Sequence, residues 1–194
     1  MNTLDRTLFH LINNWGSRSS YLDAVGIFFA EMSPYLLAAF LIFSWIRNRN
    51  YPEKRGILLI AALSFAVSEV LAKLMGKFYY HVQPFVTLEA NQLIAKDVNN
   101  SFPSDHTVLM VSFLFVLFLA GSSKSKWLYL CWAFLASIAR IFVGVHYPSD
   151  VLVAALTAIA VGSVCYYSLR RVRWLREFVD WLSNMEKKLV HRRT

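Results

Sequence analysis

Charged side chains are scarce in this sequence: only 16% of its 194 residues are charged, whereas 57% are hydrophobic. Soluble domains carry about 25% charged residues, so this composition excludes an ordinary soluble domain. The only two cysteines, Cys131 and Cys165, both fall inside apolar stretches, which favours packed thiols without a functional role. The chain also lacks the basic start and cleavage site of a signal peptide, and we therefore expect its N-terminus to be retained.

Long apolar runs fill most of the chain. They cover residues 24–45, 57–75, 107–120, 127–145 and 151–169. Because a membrane-spanning helix needs roughly 20 apolar residues, four runs qualify, and the third qualifies if its helix begins near Ser104. The sequence therefore predicts an all-α integral membrane protein, a bundle of five to six transmembrane helices.

The first 20 residues are predicted to form a separate amphipathic helix. Apolar residues recur there at helical spacing: Leu4, Leu8, Leu11, Ile12 and Trp15. This pattern indicates a helix lying in the membrane interface, and a sixth, short span is the alternative. The predicted domains are thus 1–20 for this helix, 21–169 for the transmembrane domain and 170–194 for a basic cytoplasmic tail.

The net charge of +8 reflects topology and does not predict a nucleic-acid partner. Most lysines and arginines occupy alternate connections between the apolar runs, and the positive-inside rule makes that side cytoplasmic. Residues 77–106 and 144–150 then lie on the extracytoplasmic side. In the tail, Trp174 and Trp181 indicate a solvated, anchored helix, with attraction of anionic lipid as the alternative.

Two polar groups share the predicted outer side. One covers residues 102–106, and the other contains Arg140, His146 and Asp150. Each group precedes an apolar run, and a Ser or Asp in each can cap the helix that follows. We expect the unpaired N–H groups of two helix N-termini to favour an anion such as phosphate.

The residue types in these groups suit attack on phosphorus. If Asp150 accepts a hydrogen bond from one ring nitrogen of His146, the other nitrogen is left unprotonated and nucleophilic. Arg140 has forked donors for two phosphate oxygens, and a membrane helix is an unfavourable place for an arginine without such a task. His106 is the candidate general acid, and Ser104 with nearby N–H groups is a candidate for binding phosphate oxygens.

A metal site is the competing chemistry. Asp105, His106, His146 and Asp150 are possible ligands, but Arg140 beside them disfavours a bound cation. We therefore expect neither a metal nor another cofactor. For Asp105 itself, capping of the helix and a part in the chemistry both stay open.

Three further ionisable residues lie inside apolar runs. Glu69 and Lys73 are four residues apart on one helix face, which predicts an ion pair. Glu31 is expected to face the site and position Lys77 or a water, or else to pair with Lys73.

Two motifs resemble those of the type 2 phosphatidic acid phosphatase superfamily. Its second motif reads Pro-Ser-Gly-His, against Pro-Ser-Asp-His at 103–106, and its third reads Ser-Arg-x5-His-x3-Asp, against Arg140, His146 and Asp150 at the same spacing. The resemblance implies that His146 forms a phosphohistidine, that Asp150 orients it and that His106 is the acid. It also implies phosphate binding by Arg140 and Ser104 without a metal.

Three positions depart from that pattern. Asp105 replaces the usual Gly, as in the bacitracin-resistance type of undecaprenyl pyrophosphate phosphatase, and Ala139 replaces the usual Ser. The first motif, Lys-x6-Arg-Pro, has Lys77 one residue too close and Gln83 at the arginine position. Asp105, Lys77 and Gln83 are candidates for substrate binding, and we expect a Gln83→Arg change to restore a weakened phosphate clamp.

The resemblance implies a multi-pass enzyme of the bacterial plasma membrane with its site facing outward. Its substrate would be the lipid phosphate undecaprenyl pyrophosphate, whose hydrolysis to undecaprenyl phosphate recycles the cell-wall carrier lipid and gives bacitracin resistance. One alternative is a phosphatidylglycerophosphate or phosphatidate phosphatase. Gln83 and Ala139 motivate another, a non-catalytic lipid-binding or transport protein. The oligomeric state stays open.

Overall fold

The computed structural model describes residues 3–173, 177–181 and 185. Within them the regular structure is helical, apart from one isolated bridge between Val82 and Asn100. The helices are α1 Thr3–Asn13, α2 Ser20–Ile27, α3 Ser33–Arg47, α4 Pro52–Phe78, α5 Pro84–Thr87, α6 Asp105–Ala120, α7 Trp127–Phe142 and α8 Pro148–Leu169. The prediction of an all-α protein is confirmed.

Three helical segments have the length and composition to cross a membrane. Helices α2 and α3 join through a π-helical turn, Phe28–Met32, into one segment of 28 residues, and α4 and α8 have 27 and 22 residues. Helix α6 is apolar but has 16 residues, and it begins beside Ser104 as expected. Helix α7 ends at Phe142 and not at residue 145, because the chain turns at Gly144, whose φ is 85°. An L side chain rarely adopts that φ, so glycine is required at this turn.

The core lies where α4, α6 and α8 pack against one another, with α7 against α6. Proline at the first position starts α4 and α8, where its missing N–H needs no partner. Small residues such as Ala72, Ala154 and Ala158 are fully buried and let the helices approach closely. This packing holds the ends of α6, α7 and α8 together at the end of the bundle that carries His146, called the site end below.

Helix α1 lies across the site end. It contacts α7 and α8 and buries Asp5, Phe9 and Asn13. Its apolar face is exposed, with Leu4 62% and Leu11 65% accessible, as predicted for a helix in the membrane interface. The alternative of a sixth span is wrong, because 11 residues make a helix only about 16 Å long.

The predicted tail at 170–194 lies partly outside the described residues, and so does Trp174. In the described part, Arg170 donates a hydrogen bond of 3.3 Å to the Tyr166 hydroxyl and lies over the Tyr166 ring. These contacts attach the start of the tail to α8.

Candidate active site

The two polar groups predicted from the sequence meet at the site end. The amide of Ser104, which precedes α6, donates to the carbonyl oxygen of Asp150 in α8 at 3.3 Å. Beside this junction is a cavity of about 310 Å³. Its lining includes the acidic and basic residues Glu31, Lys96, His106 and Arg140.

His146 is buried, with 3% of its surface exposed, in the turn between α7 and α8. Its Nδ1 lies 2.8 Å from the carbonyl oxygen of Ser101. Because a carbonyl oxygen only accepts hydrogen bonds, the proton is on Nδ1 and Nε2 carries a lone pair. The expected partner, Asp150, lies 3.8 Å away, too far for a hydrogen bond. The tautomer needed for a nucleophile is therefore held by Ser101.

Asp150 is fully buried and makes two other contacts. Its Oδ1 accepts a hydrogen bond of 2.8 Å from Nδ1 of His81, whose ring stacks on Tyr147. Its Oδ2 accepts the amide proton of Tyr147 at 2.9 Å, which caps α8 as expected for an Asp at this position. The sequence did not identify His81, because its position matches no motif residue.

Arg140 is buried near the end of α7, with 2% of its surface exposed. Its Nη1 donates to the carbonyl oxygen of Ala30 at 2.9 Å and lies 3.4 Å from Oε1 of Glu31. Its Nε has no partner among the described residues. Glu31 thus faces the site as expected, but its ion-pair partner is Arg140. The alternative of a pairing with Lys73 is wrong, because Lys73 contacts Glu69 and Asp105.

Lys96 is the unexpected member of the site. Its Nζ lies 3.2 Å from Nε2 of His146, and since Nε2 has the lone pair, the ammonium is the donor. The sequence placed residues 77–106 on the same side as His146, but no spacing marked this lysine among the polar residues of the connection.

Burial changes the protonation of both partners. It lowers the pKa of His146 to about 4, with the charges of Lys96 and Arg140 acting in the same direction, so the imidazole is neutral at pH 7. Burial, followed by the charge of Arg140, also lowers the pKa of Lys96 to about 8. Lys96 therefore remains mainly charged at neutral pH.

Asp105 and Ser104 lie at the start of α6. Asp105 accepts a hydrogen bond of 2.7 Å from Nζ of Lys73, which also lies 3.3 Å from Glu69, so the predicted pair of Glu69 and Lys73 is confirmed. Ser104 is buried and accepts a hydrogen bond of 3.2 Å from the Thr107 hydroxyl. Asp105 thus contacts a neighbouring helix, while His106 points into the cavity.

The two first-motif candidates lie away from the cavity. Lys77 is exposed near the end of α4 and does not line the cavity. Gln83 is fully buried beneath residues 97–99, where it accepts a 2.9 Å hydrogen bond from the amide of Asn99. Neither position supports direct contact with a phosphate in this conformation.

One of the two helix N-termini already holds a carboxylate. Asp5 of α1 accepts hydrogen bonds from the amide and the hydroxyl of Ser149 in α8, at 2.9 and 2.7 Å. The expectation that both N-termini attract phosphate is therefore wrong for α8, and only the start of α6 faces the cavity.

The donor set does not suit a metal. Across residues 3–173 and the described part of the tail, no three His, Cys, Asp or Glu side chains lie close enough to hold an ion. The polar lining of the cavity instead contains two cations, Lys96 and Arg140, and the imidazole of His106, which suit an anion.

Comparison with known proteins finds relatives over most of the chain. Residues 56–174 match the PAP2 superfamily. The bacitracin transport permease protein BcrC of Bacillus licheniformis is 36% identical over 94% of this chain and 89% of its own length. The undecaprenyl-diphosphatase BcrC of Bacillus subtilis is 28% identical over 96% of this chain and 94% of its own length. The crystal structure of Aquifex aeolicus LpxE aligns with a TM-score of 0.73 and 31% identity, covering 84% of this chain and 95% of that one.

Proposed function

The chain belongs to the PAP2 superfamily, and from this membership we propose that it is a multi-pass membrane phosphatase that hydrolyses undecaprenyl pyrophosphate to undecaprenyl phosphate and phosphate. The observation that carries the proposal is the neutral His146, whose Nδ1–H is held by Ser101 and whose Nε2 carries a lone pair beside a cationic cavity. The name of the Bacillus subtilis relative supports this choice of lipid. Such an activity recycles the cell-wall carrier lipid and gives bacitracin resistance.

In the first step, Nε2 of His146 attacks the terminal phosphorus. A nitrogen–phosphorus bond forms, and the bond from phosphorus to the bridging oxygen breaks. The negative charge of the substrate stabilises the protonated form of His106, which donates its proton to the departing lipid phosphate. Arg140, buried and fixed by Ala30, stabilises the charge on the transferring phosphoryl group.

In the second step, a water molecule attacks the phosphohistidine. Now neutral, His106 accepts a proton from the water, the nitrogen–phosphorus bond breaks and inorganic phosphate leaves. His146 and His106 return to their starting protonation states, so the cycle consumes one water and needs no cofactor. Asp150 acts at a distance by holding His81 and the Tyr147 amide, which fix the turn that carries His146.

The name of the Bacillus licheniformis relative motivates one other function, transport. A transporter of bacitracin has no use for a neutral, buried histidine whose lone pair points at a lysine. Phosphoryl transfer uses each of these features, and we therefore favour the phosphatase. Phosphatidylglycerophosphate and phosphatidate remain the competing lipid substrates.

We place the site end on the extracytoplasmic side of a bacterial plasma membrane. The positive-inside rule supports this orientation, because Arg47, Arg49, Lys124 and Lys126 lie at the opposite end of the bundle. A cysteine at Gln92 should react with a membrane-impermeant maleimide in intact cells, and one at Ser123 should react only after lysis. The reverse pattern contradicts the orientation.

The substrate is tested by phosphate release from purified protein with undecaprenyl pyrophosphate, phosphatidylglycerophosphate and phosphatidate, each with a metal chelator present. We expect the pyrophosphate lipid to have the highest kcat/KM and His146→Gln to release no phosphate. A higher kcat/KM for another lipid overturns the substrate, and no release from any lipid favours the binding or transport function. Loss of activity in chelator contradicts the mechanism.

A further inference from the structure

Position 83 carries a glutamine whose side chain is fully occupied by the protein itself. Its Nε2 donates to the carbonyl oxygen of Asp97 at 3.2 Å and to Oδ1 of Asn99, and its Oε1 accepts from the Asn99 amide at 2.9 Å. Gln83 is fully buried, and it does not line the cavity. The motif position at which the resemblance predicts a phosphate-binding arginine therefore holds a connecting segment in place.

The segment that Gln83 holds begins immediately after Lys96. Lys96 lines the cavity with Arg140 and His106, and its Nζ is 3.2 Å from Nε2 of His146. Glu31, the acidic residue of the cavity lining, pairs with Arg140. In residues 3–173, Lys96 makes no ion pair with a carboxylate. The cavity thus has more positive than negative charge, which favours a bound anion.

We propose that Lys96 is the second phosphate-binding cation of this site, replacing the arginine that position 83 lacks, and that Gln83 is a positioning residue that holds Lys96 against His146. The inference rests on the proposed phosphatase activity. It explains how an uncharged, buried residue at position 83 is compatible with phosphate chemistry.

The contact between Lys96 and His146 also couples binding to attack. Without substrate, the ammonium of Lys96 donates to the Nε2 lone pair, the electron pair that must attack phosphorus. A phosphate anion is a stronger acceptor than a neutral imidazole, so Lys96 turns to the phosphate oxygens when substrate enters. Nε2 is then free next to the phosphorus.

The first test measures binding of orthovanadate, a phosphate mimic, to Lys96→Met, Lys96→Arg and the wild-type protein by calorimetry in detergent. We expect Lys96→Met to weaken binding about 10- to 100-fold, the range for one hydrogen bond between charged groups. Lys96→Arg should recover most of the affinity. Lys124→Met, an exposed lysine at the opposite end of the bundle, is the matched control and should bind as wild type does.

The second test examines whether Gln83 acts through Lys96. Gln83→Met and Lys96→Met are combined in a double-mutant cycle, with kcat/KM for undecaprenyl pyrophosphate as the readout. If Gln83 acts by placing Lys96, the double variant is no slower than Lys96→Met alone. If the two single-variant losses in kcat/KM multiply in the double variant, Gln83 does not act through Lys96, and its proposed role is overturned.

The pH dependence of kcat/KM distinguishes a role of the Lys96 charge from a merely structural role of its side chain. In wild type, kcat/KM should fall above about pH 8 as Lys96 loses its proton, and in Lys96→Arg this alkaline limb should move to higher pH. A limb that stays in place overturns the role of Lys96, as does unchanged orthovanadate binding in Lys96→Met or no binding to wild type. If the binding results hold but undecaprenyl pyrophosphate is not hydrolysed, the proposed substrate fails and Lys96 remains the phosphate ligand.

Discussion

The imidazole of His81, which is partly buried, lies 2.8 Å from the fully buried carboxylate of Asp150, measured between Nδ1 and Oδ1. From the motif, Asp150 was expected to bind His146 directly. The observed pair gives Asp150 a different task, because the Tyr147 amide occupies its second oxygen. The first motif region therefore contributes a histidine that supports the third motif.

Replacing His81 with Phe should destabilise the protein. The phenyl ring can still stack on Tyr147, but the buried Asp150 carboxylate loses its donor. We expect the free energy of unfolding to fall by about 1–3 kcal/mol, as for other unpaired buried groups. Denaturant unfolding in detergent measures the change, and His81→Asn, which keeps a donor, should lose less. Equal losses in the two variants contradict the role of this hydrogen bond.

Replacing His106 with Gln should slow the chemical step. We expect kcat to fall about 100- to 10,000-fold, the usual contribution of a general acid, with little change in KM. With p-nitrophenyl phosphate the defect should be much smaller, because p-nitrophenolate leaves without a proton. His10→Gln on α1 is the control and should retain wild-type kinetics. Equal defects with the two substrates argue against a general acid.

The structure reverses the expectation that arginine at position 83 restores activity. An arginine has no acceptor for the Asn99 amide, which Gln83 now binds, and it is larger than the buried glutamine. We expect Gln83→Arg to lower kcat/KM about 10- to 100-fold by displacing residues 97–99. Gln92→Arg, at an exposed glutamine of the same connection, should have little effect. An unchanged or higher kcat/KM in Gln83→Arg contradicts this explanation.

The buried His146 should make the fold sensitive to acid. Its pKa is about 4 in the folded protein, below the ordinary value of 6.5. Between these values the unfolded chain takes up a proton that the folded protein refuses, so stability is lost as pH falls from about 6.5 to 4. Above 6.5 this group adds no pH dependence.

Comparison with His146→Gln isolates the contribution of this histidine. Between about pH 7 and pH 4.5, wild type should lose about 2 kcal/mol more of its free energy of unfolding than the variant does. Unfolding curves at several pH values measure the difference. Parallel pH profiles of the two proteins show that His146 is not the cause.

Local signals predicted most of the helices, and motif spacing predicted the residues at the helix ends. Helical periodicity and run length depend on neighbouring residues, so α4, α6 and α8 could be identified from the sequence. Lys96, Ser101 and His81 could not, because they reach the site through a connection whose path is set by long-range hydrogen bonds. The Ser101 contact uses a backbone carbonyl, which every residue has and no motif marks.

The length of α7 and the burial of two polar residues of α1 could not be predicted from local signals either. An apolar run continues past Phe142, but the backbone turns at Gly144 to let Asn91 pack against it. In α1 the polar residues Asp5 and Asn13 are buried because they have partners on α8 and α7. Amphipathicity predicts the exposed apolar face of an interfacial helix, but it does not predict these two buried polar contacts.

Asn13 of α1 binds the amide and carbonyl groups of Asn91 and the carbonyl oxygen of Phe142. Asn13 therefore joins the end of α7 to Asn91, which lies 78 positions after Asn13 and belongs to the same connection that carries Lys96. The catalytic unit thus starts well before the matched residues 56–174. A shortened protein that begins after α1 keeps every motif but loses the hydrogen bonds of Asn13. Its motif residues would then be present without the arrangement that activity requires.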